Sequence, residues 1–253
     1  MKLVVLGSGT SVPHPARAAA AHWLETESGS VLLDLGAAAG HRMAQENLDW
    51  VNLDAIWISH FHLDHVGGLC PFLFGTKYAP DTQARRKPLI IYGPRGLHAL
   101  LRAFDTAGDY NLLKQPFPVE IHEVEPRSTF EMLPGLHAET LPTPHTNESL
   151  ALKLHDDKTS LVYTSDTGYT DALAAFARHV SLFLVECSFF RDKPVASHLE
   201  LGEAMRLAEQ SGARRVLLSH LYPNWDGIDL AAEAKKLWSG ETIEARDGLR
   251  LDI

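Results

Sequence analysis

The stretch "ISHFHLDHVGG", residues 58–68, crowds His60, His62, Asp64 and His65 together directly after the apolar run "DAIWIS", and it ends in two glycines. Side chains alternate with period two in extended backbone, so His60 and His62 can point the same way. Where the chain turns into a helix beginning near Val66, Asp64 and His65 project to an adjacent position. Gly67 and Gly68 let the backbone crowd in at that helix start. One short loop can thus feed two neighbouring metal ions. Imidazole with carboxylate suits Zn²⁺, with Mn²⁺ or Fe as alternatives. Four side chains do not fill two coordination shells, so partners are required elsewhere in the chain.

Candidate partners stand where apolar strands end. His145 follows "HAETLPTP", Asp166 follows "SLVYTS" and His220 follows "RRVLLS". Glu186 closes "SLFLVE", and His198 stands before a helical stretch that starts at Leu199. In α/β sheets, ligand sites gather outside the carboxyl ends of strands. Strand-like runs ("KLVVLG", the pair within "AAAHWLETESGSVLLDLG", "PLIIYG", a hairpin over "SLALKLHDDKTSLVYTSD") alternate with helical ones ("GLHALLRAF", "DALAAFARH", "LELGEAMRLAEQ", "DLAAEAKKLW"). No linker, repeat or low-complexity segment divides them. The reading is one α/β domain over residues 1–253, with helices covering sheets.

Composition narrows the function. The chain has 253 residues, a formal charge of −9 and 14 histidines. An acidic chain does not draw phosphate backbones at long range, which argues against extensive nucleic-acid binding. Cys70 and Cys187 lie in apolar surroundings and read as buried thiols of a reducing compartment. The apolar N-terminal run is too short for a signal peptide, and nothing approaches the roughly 20 apolar residues of a membrane span. A cytoplasmic protein with no membrane partner is the expectation.

The set "HFHLDH", "PTPHT", "TSDTG" and "LLSHLYP" resembles the metallo-β-lactamase-fold hydrolases, over essentially the whole chain. That resemblance implies a four-layer αβ/βα sandwich with a binuclear site at one edge. It implies that His60, His62 and His145 hold one ion, that Asp64, His65 and His220 hold the other, and that Asp166 bridges them. "LGSGTSVP", "VECSF" and the run from "SHLEL" to "LLSH" are similar to the ribonuclease Z-like branch. By that likeness His198 is a non-ligand histidine oriented by Glu186, able to stabilise charge on a phosphodiester or protonate its leaving oxygen. Without the likeness, His198 reads as a cap on the following helix. Two divalent ions about 3.5–4 Å apart would hold a bridging hydroxide and polarise the phosphoryl oxygens, with Asp64 as ligand and proton acceptor.

The sequence departs from the tRNA-processing members. They carry a long arm between the third-motif histidine and the bridging aspartate, whereas the hairpin fills all of that interval here. The compact form resembles the short phosphodiesterases of the branch, including the accessory phosphodiesterase of carbon–phosphorus lyase pathways, although that protein's zinc-binding cysteine cluster is missing. A small or nucleotide-like phosphodiester is the expected substrate. A carboxylic-ester or lactone hydrolase, an RNA 3′-processing endonuclease and a non-catalytic metal-binding protein are the alternatives. Ser8, Gly9, Thr10 and Ser11 could offer donors to the anion, and Tyr222 could stack on a base or sugar. Residues 72–88 have the composition of a loop or lid, whose Lys77, Arg85, Arg86 and Lys87 could attract phosphate or face solvent. Homodimers are frequent among such relatives.

Overall fold

The computed structural model describes residues 1–253. In chain order the first part is β1 (Lys2–Gly7), β2 (Ala21–Thr26), β3 (Gly29–Leu33), α1 (Ala39–Gln45), β4 (Ala55–Trp57), α2 (Leu63–Val66), α3 (Leu69–Tyr78), β5 (Leu89–Pro94), α4 (Leu97–Gly108) and β6 (Val119–Val124). There follow β7 (Thr129–Leu133), β8 (Leu136–Pro142), β9 (Leu150–His155), β10 (Ser160–Tyr163), α5 (Asp171–Phe176), β11 (Leu182–Glu186), α6 (Leu201–Ser211), β12 (Arg215–Ser219), α7 (Leu230–Lys235), β13 (Glu241–Glu244) and β14 (Arg250–Asp252). They form two seven-stranded sheets, ordered β14-β1-β2-β3-β4-β5-β6 and β13-β12-β11-β10-β9-β8-β7. Strands β3 to β6 run parallel, as do β10 to β13.

Alternation along the strands builds the layers. On β11, Leu182 and Leu184 join Leu3, Val5 and Trp57 in the core between the sheets. Phe183 and Val185 point the other way, into a core with Leu207 of α6 and Leu230 of α7. A strand covered on both faces must be apolar throughout, and every residue of β11 is buried. Leu32, Ile56, Leu73 and Leu101 form the matching core beneath α1, α3 and α4. The order is helices, sheet, sheet, helices: the αβ/βα sandwich. Truncating Phe183, fully buried, to alanine would cost about 3–5 kcal/mol.

Several local expectations need correction. Residues 69–78 are helix α3 and 80–84 a 3₁₀ turn, so 72–88 is not a loop. Arg85 neither attracts phosphate nor faces solvent. Its guanidinium is buried, donates to the carbonyls of Val51, Leu53, Lys87 and Pro88, and lies over the Phe117 ring. Lys77 donates to the Tyr110 and Asn111 carbonyls, Arg86 to the Gln83 and Arg85 carbonyls, and Lys87 pairs with Asp54. Helix α6 begins two residues later than expected, with Glu200 and Glu203 forming a capping box. His198 is therefore not its cap. No helix is long and apolar enough to cross a membrane. Both cysteines are free, Cys187 buried and Cys70 half-buried.

Candidate functional site

The carboxyl ends of β3, β4, β10, β11 and β12 all deliver polar residues to one cleft edge between the sheets. Asp34 follows β3, Ser59 and His60 follow β4, Ser165 and Asp166 follow β10, and His220 follows β12. His62, Asp64 and His65 come from the turn through α2, and His145 lies beyond β8. That turn fits because of small residues beneath it. A Cβ on Gly36 would sit 2.7 Å from the Asp64 carbonyl, and one on Gly68 would collide with the Gly36 carbonyl. Asp34, Ser165 and His220 have φ of 55°, 53° and 61°, so three strand ends turn through left-handed backbone that costs roughly 1–2 kcal/mol per non-glycine residue. Such conformations persist where packing over-determines them, often at functional sites.

The seven residues meet as two groups, His60/His62/His145/Asp166 and Asp64/His65/Asp166/His220, each with one donor atom per residue within 4.8 Å of the others. Asp166 belongs to both. Its Oδ2 lies 3.5 Å from His145 Nε2 and 3.8 Å from His60 Nε2. Its Oδ1 lies 3.1 Å from His65 Nε2 and 3.3 Å from His220 Nε2. His145 Nε2 is 3.0 Å from His62 Nδ1, His220 Nε2 is 3.3 Å from Asp64 Oδ2, and the two Nε2 atoms of His65 and His220 are 3.4 Å apart. A tetrahedral ion about 2.0–2.1 Å from its ligands has ligand-to-ligand edges of about 3.3 Å, and the separations cluster around that length. His60 Nε2 and Asp166 Oδ1 are buried with no hydrogen-bond partner, the condition of atoms that a cation would satisfy. The residues therefore fit a pair of divalent ions.

The electrostatics agree. Burial and the neighbouring His65 push the His60 imidazole down to about 2. Burial also lowers His145. Burial opposes a charge on His65, yet the Asp166 and Asp34 carboxylates outweigh it and hold its pKa well above the ordinary range. Burial likewise works against the Asp166 carboxylate, but His220 and His65 hold it well below the usual range. The cluster seeks positive charge and is too crowded to take it as separate protons.

The far nitrogens of four imidazoles are also held. His145 Nδ1 donates to the Ser197 carbonyl at 2.9 Å, and His65 Nδ1 donates to Asp34 Oδ2 at 2.7 Å. His60 Nδ1 is 3.0 Å from Ser59 Oγ, and His220 Nδ1 is 3.0 Å from Ser188 Oγ. Partners of this kind fix the ring and raise its basicity as a ligand. Asp34, fully buried, accepts from the Ser59 amide (2.8 Å), the Ser59 hydroxyl (2.7 Å), His65 and the Tyr163 hydroxyl (2.6 Å). Asp34, Ser59, Tyr163 and Ser188 carried no assignment from the sequence. Asp34 alone had a signal there, as a polar residue ending an apolar strand.

His198 lies outside both groups. Its Nδ1 donates to Glu186 Oε1 at 3.0 Å, and its ring centroid is 4.8 Å from that of His145 and 5.5 Å from that of His220. Burial on its own lowers His198, but the Glu186 hydrogen bond and charge raise it overall. Tyr222 stacks on Phe189 at 5.0 Å, with its ring 6.1 Å from His220. Ser8 has no free donor, because its amide and hydroxyl both go to Asp247; the Gly9 amide goes to the Ala18 carbonyl. Thr10 Oγ1 accepts from the Val12 amide. His14 pairs with Asp226 beside Arg17, joining two loops.

Known proteins resemble this chain in sequence and in fold. The chain is 28% identical to the probable metallo-hydrolase YhfI of Bacillus subtilis, covering 98% of each chain. It is 24% identical to a ribonuclease Z of Methanosarcina acetivorans, over 100% of this chain and 98% of that one. The crystal structure of the metallo-β-lactamase-fold protein YhfI superposes with a TM-score of 0.85 at 26% identity, covering 99% of this chain and 98% of that one. A diphosphatase of the PhnP family superposes at 0.73 with 20% identity, covering 100% and 97%, a likeness of fold. Together with the histidine and aspartate groups, these relatives support a metal-dependent hydrolase. Residues 1–239 match the family model described as anti-Pycsar protein Apyc1. The chain belongs to that family and has the metallo-β-lactamase fold.

Proposed function

We propose that this protein is a binuclear metal phosphodiesterase acting on a small or nucleotide-like phosphodiester. His60, His62 and His145 with Asp166 Oδ2 would hold one ion, and Asp64, His65 and His220 with Asp166 Oδ1 the other. Zinc is the first choice for so many imidazoles, with manganese or iron as alternatives. When bound, the ions supply Lewis acidity toward phosphoryl oxygens and a strongly acidified water.

The observation that carries the phosphodiester reading is the Glu186–His198 pair beside the ligand groups. His198 Nδ1 is engaged by Glu186, which leaves Nε2 to carry a proton. An alkoxide leaving phosphorus needs a proton or a fixed positive charge, and His198 supplies either. A carboxylic ester also expels an alkoxide, but it lacks the anionic charge of a phosphodiester that a cationic His198 would offset. Asp64, 3.3 Å from His220 Nε2, would be both ligand and proton acceptor. Tyr222 and Ser11 would border the substrate at the mouth. The residues form one catalytic unit drawn from both sheets.

The test is turnover of bis(p-nitrophenyl) phosphate by protein loaded with Zn²⁺ or Mn²⁺, with Asp64→Ala as the blank. The reading expects metal-dependent release that Asp64→Ala abolishes; because p-nitrophenolate departs without a proton, His198→Ala should cut turnover by about 10²–10⁴ on a phosphodiester with an alkoxide leaving group and by less on this probe. Loaded protein that spares the phosphodiester and hydrolyses esters or lactones with His198→Ala fully active would sink it.

A further inference from the structure

We propose that Ser188 is a positioning residue that sets the tautomer of His220 and ties that ligand to the Glu186–His198 pair. This rests on the metal-centre reading. Ser188 is fully buried, and its Oγ lies 2.6 Å from Glu186 Oε2, 3.0 Å from His220 Nδ1 and 3.4 Å from His198 Nδ1.

The hydroxyl has one proton to give. A carboxylate offers only lone pairs, so the proton of Ser188 goes to Glu186. The lone pairs of Oγ then face His220 Nδ1, and that nitrogen must be the donor. His220 is thereby held with its proton on Nδ1 and its lone pair on Nε2, the atom 3.3 Å from both Asp64 Oδ2 and Asp166 Oδ1.

Glu186 cannot turn to undo this. It accepts from the Thr167 amide at 2.6 Å, the Leu199 amide at 3.1 Å, the Ser188 hydroxyl and His198 Nδ1. Those four donors fill the roughly four lone-pair sites of a carboxylate. Two come from backbone, so the direction of the chain His220→Ser188→Glu186←His198 is anchored in the fold. Glu186, His198 and His220 are close enough to hold an ion themselves. Hydrogen bonds already occupy both Glu186 oxygens, His198 Nδ1 and His220 Nδ1. The other half repeats the device: Ser59 Oγ donates to Asp34 and faces His60 Nδ1.

Removing the hydroxyl leaves His220 Nδ1–H without an acceptor and frees the ring to exchange tautomers. The test compares full-length wild type, Ser188→Ala, Ser188→Cys and Ser188→Thr. Zinc affinity is read by chelator competition and the His220 tautomer by ¹⁵N NMR of the zinc-loaded protein. Wild type should bind two Zn²⁺, with His220 protonated on Nδ1. Ser188→Ala should weaken one of the two ions by about 10–100-fold and leave the other within a few-fold. Ser188→Cys keeps the volume with a weak hydrogen-bonding group and should behave like alanine. Ser188→Thr keeps the hydroxyl and should recover most of the affinity. Unchanged affinity in Ser188→Ala, or a cysteine variant equal to wild type, overturns the proposal and leaves the metal centre standing. A wild type that binds no zinc overturns both.

Discussion

Replacing Asp34 by asparagine removes a charge from beside the site without replacing any proposed ligand. The carboxylate is fully buried and receives four hydrogen bonds. Three converge on Oδ2, from the Ser59 hydroxyl, His65 Nδ1 and the Tyr163 hydroxyl. One, from the Ser59 amide, reaches Oδ1. An asparagine can keep an oxygen at only one of these positions. It will keep it at the Oδ2 position, losing one bond rather than three, so its NH₂ then confronts the Ser59 amide. The Ser59 amide and the two N–H groups of the new NH₂ are then buried donors without acceptors, each costing about 1–3 kcal/mol. For a chain of this size that lowers Tm by about 2–4 °C per kcal/mol. His65 also exchanges an anionic partner for a neutral one, and loss of such an outer partner weakens metal binding by about 10–100-fold. Asp34→Ala orphans four donors, which at about 1–3 kcal/mol each approaches the whole stability of a domain. Thermal denaturation with and without chelator, and zinc competition titration, read both effects. Asp34→Asn with wild-type Tm and zinc affinity, or Asp34→Ala that folds normally, would refute the accounting.

Stripping the ions with a chelator should lower Tm by about 5–11 °C for each site that was held at a hundred times its dissociation constant, since that saturation contributes about 2.7 kcal/mol; an unchanged melting curve would count against a metal centre. In the metal-free protein, burial holds His22 at about 3, against 6.5 for a free imidazole. The unfolded chain therefore binds a proton below pH 6.5 that the folded chain refuses, and stability falls as pH drops from 6.5 toward 3. His22→Phe should flatten that fall by about 1.4 kcal/mol per pH unit, read as urea midpoints at pH 6.5 and 4.5; equal slopes would contradict it. Arg85→Ala should cost several kcal/mol, about 3–5, because it strands buried carbonyls, while leaving KM for a phosphodiester unchanged in the folded fraction. A raised KM with unaltered stability would make Arg85 a phosphate anchor after all.

What the sequence disclosed and what it hid have physical reasons. His60, His62, Asp64 and His65 are neighbours along the chain, so their convergence needs only local backbone geometry. Asp166 and His220 could be found because several apolar strands end in a histidine or carboxylate, a joint pattern that points to one site where a lone residue would not. Apolar strands such as β11 pointed to sheets covered by helices, while the layer order came from the resemblance to a known fold. The serines were invisible. Serine is common, and the roles of Ser59 and Ser188 depend on which carboxylate and which imidazole the sheets bring within 3.0 Å. Arg85 was misjudged because a basic run looks solvated; only the fold gathers the carbonyls of Val51, Leu53, Lys87 and Pro88 around one guanidinium. β6 escaped because its sequence "VEIHEV" leaves most of its residues outside the core.

The division of the candidate ligands between the sheets bears on the order of assembly. His60, His62, Asp64 and His65 travel with the first sheet, while His145, Asp166 and His220 travel with the second. Neither group is complete until the two sheets have docked, because each draws on both. Contacts this distant along the chain form late and slowly. A metal held as proposed would therefore not seed folding. It should leave the refolding rate nearly unchanged and slow unfolding, acting as a latch on a sandwich that has already closed.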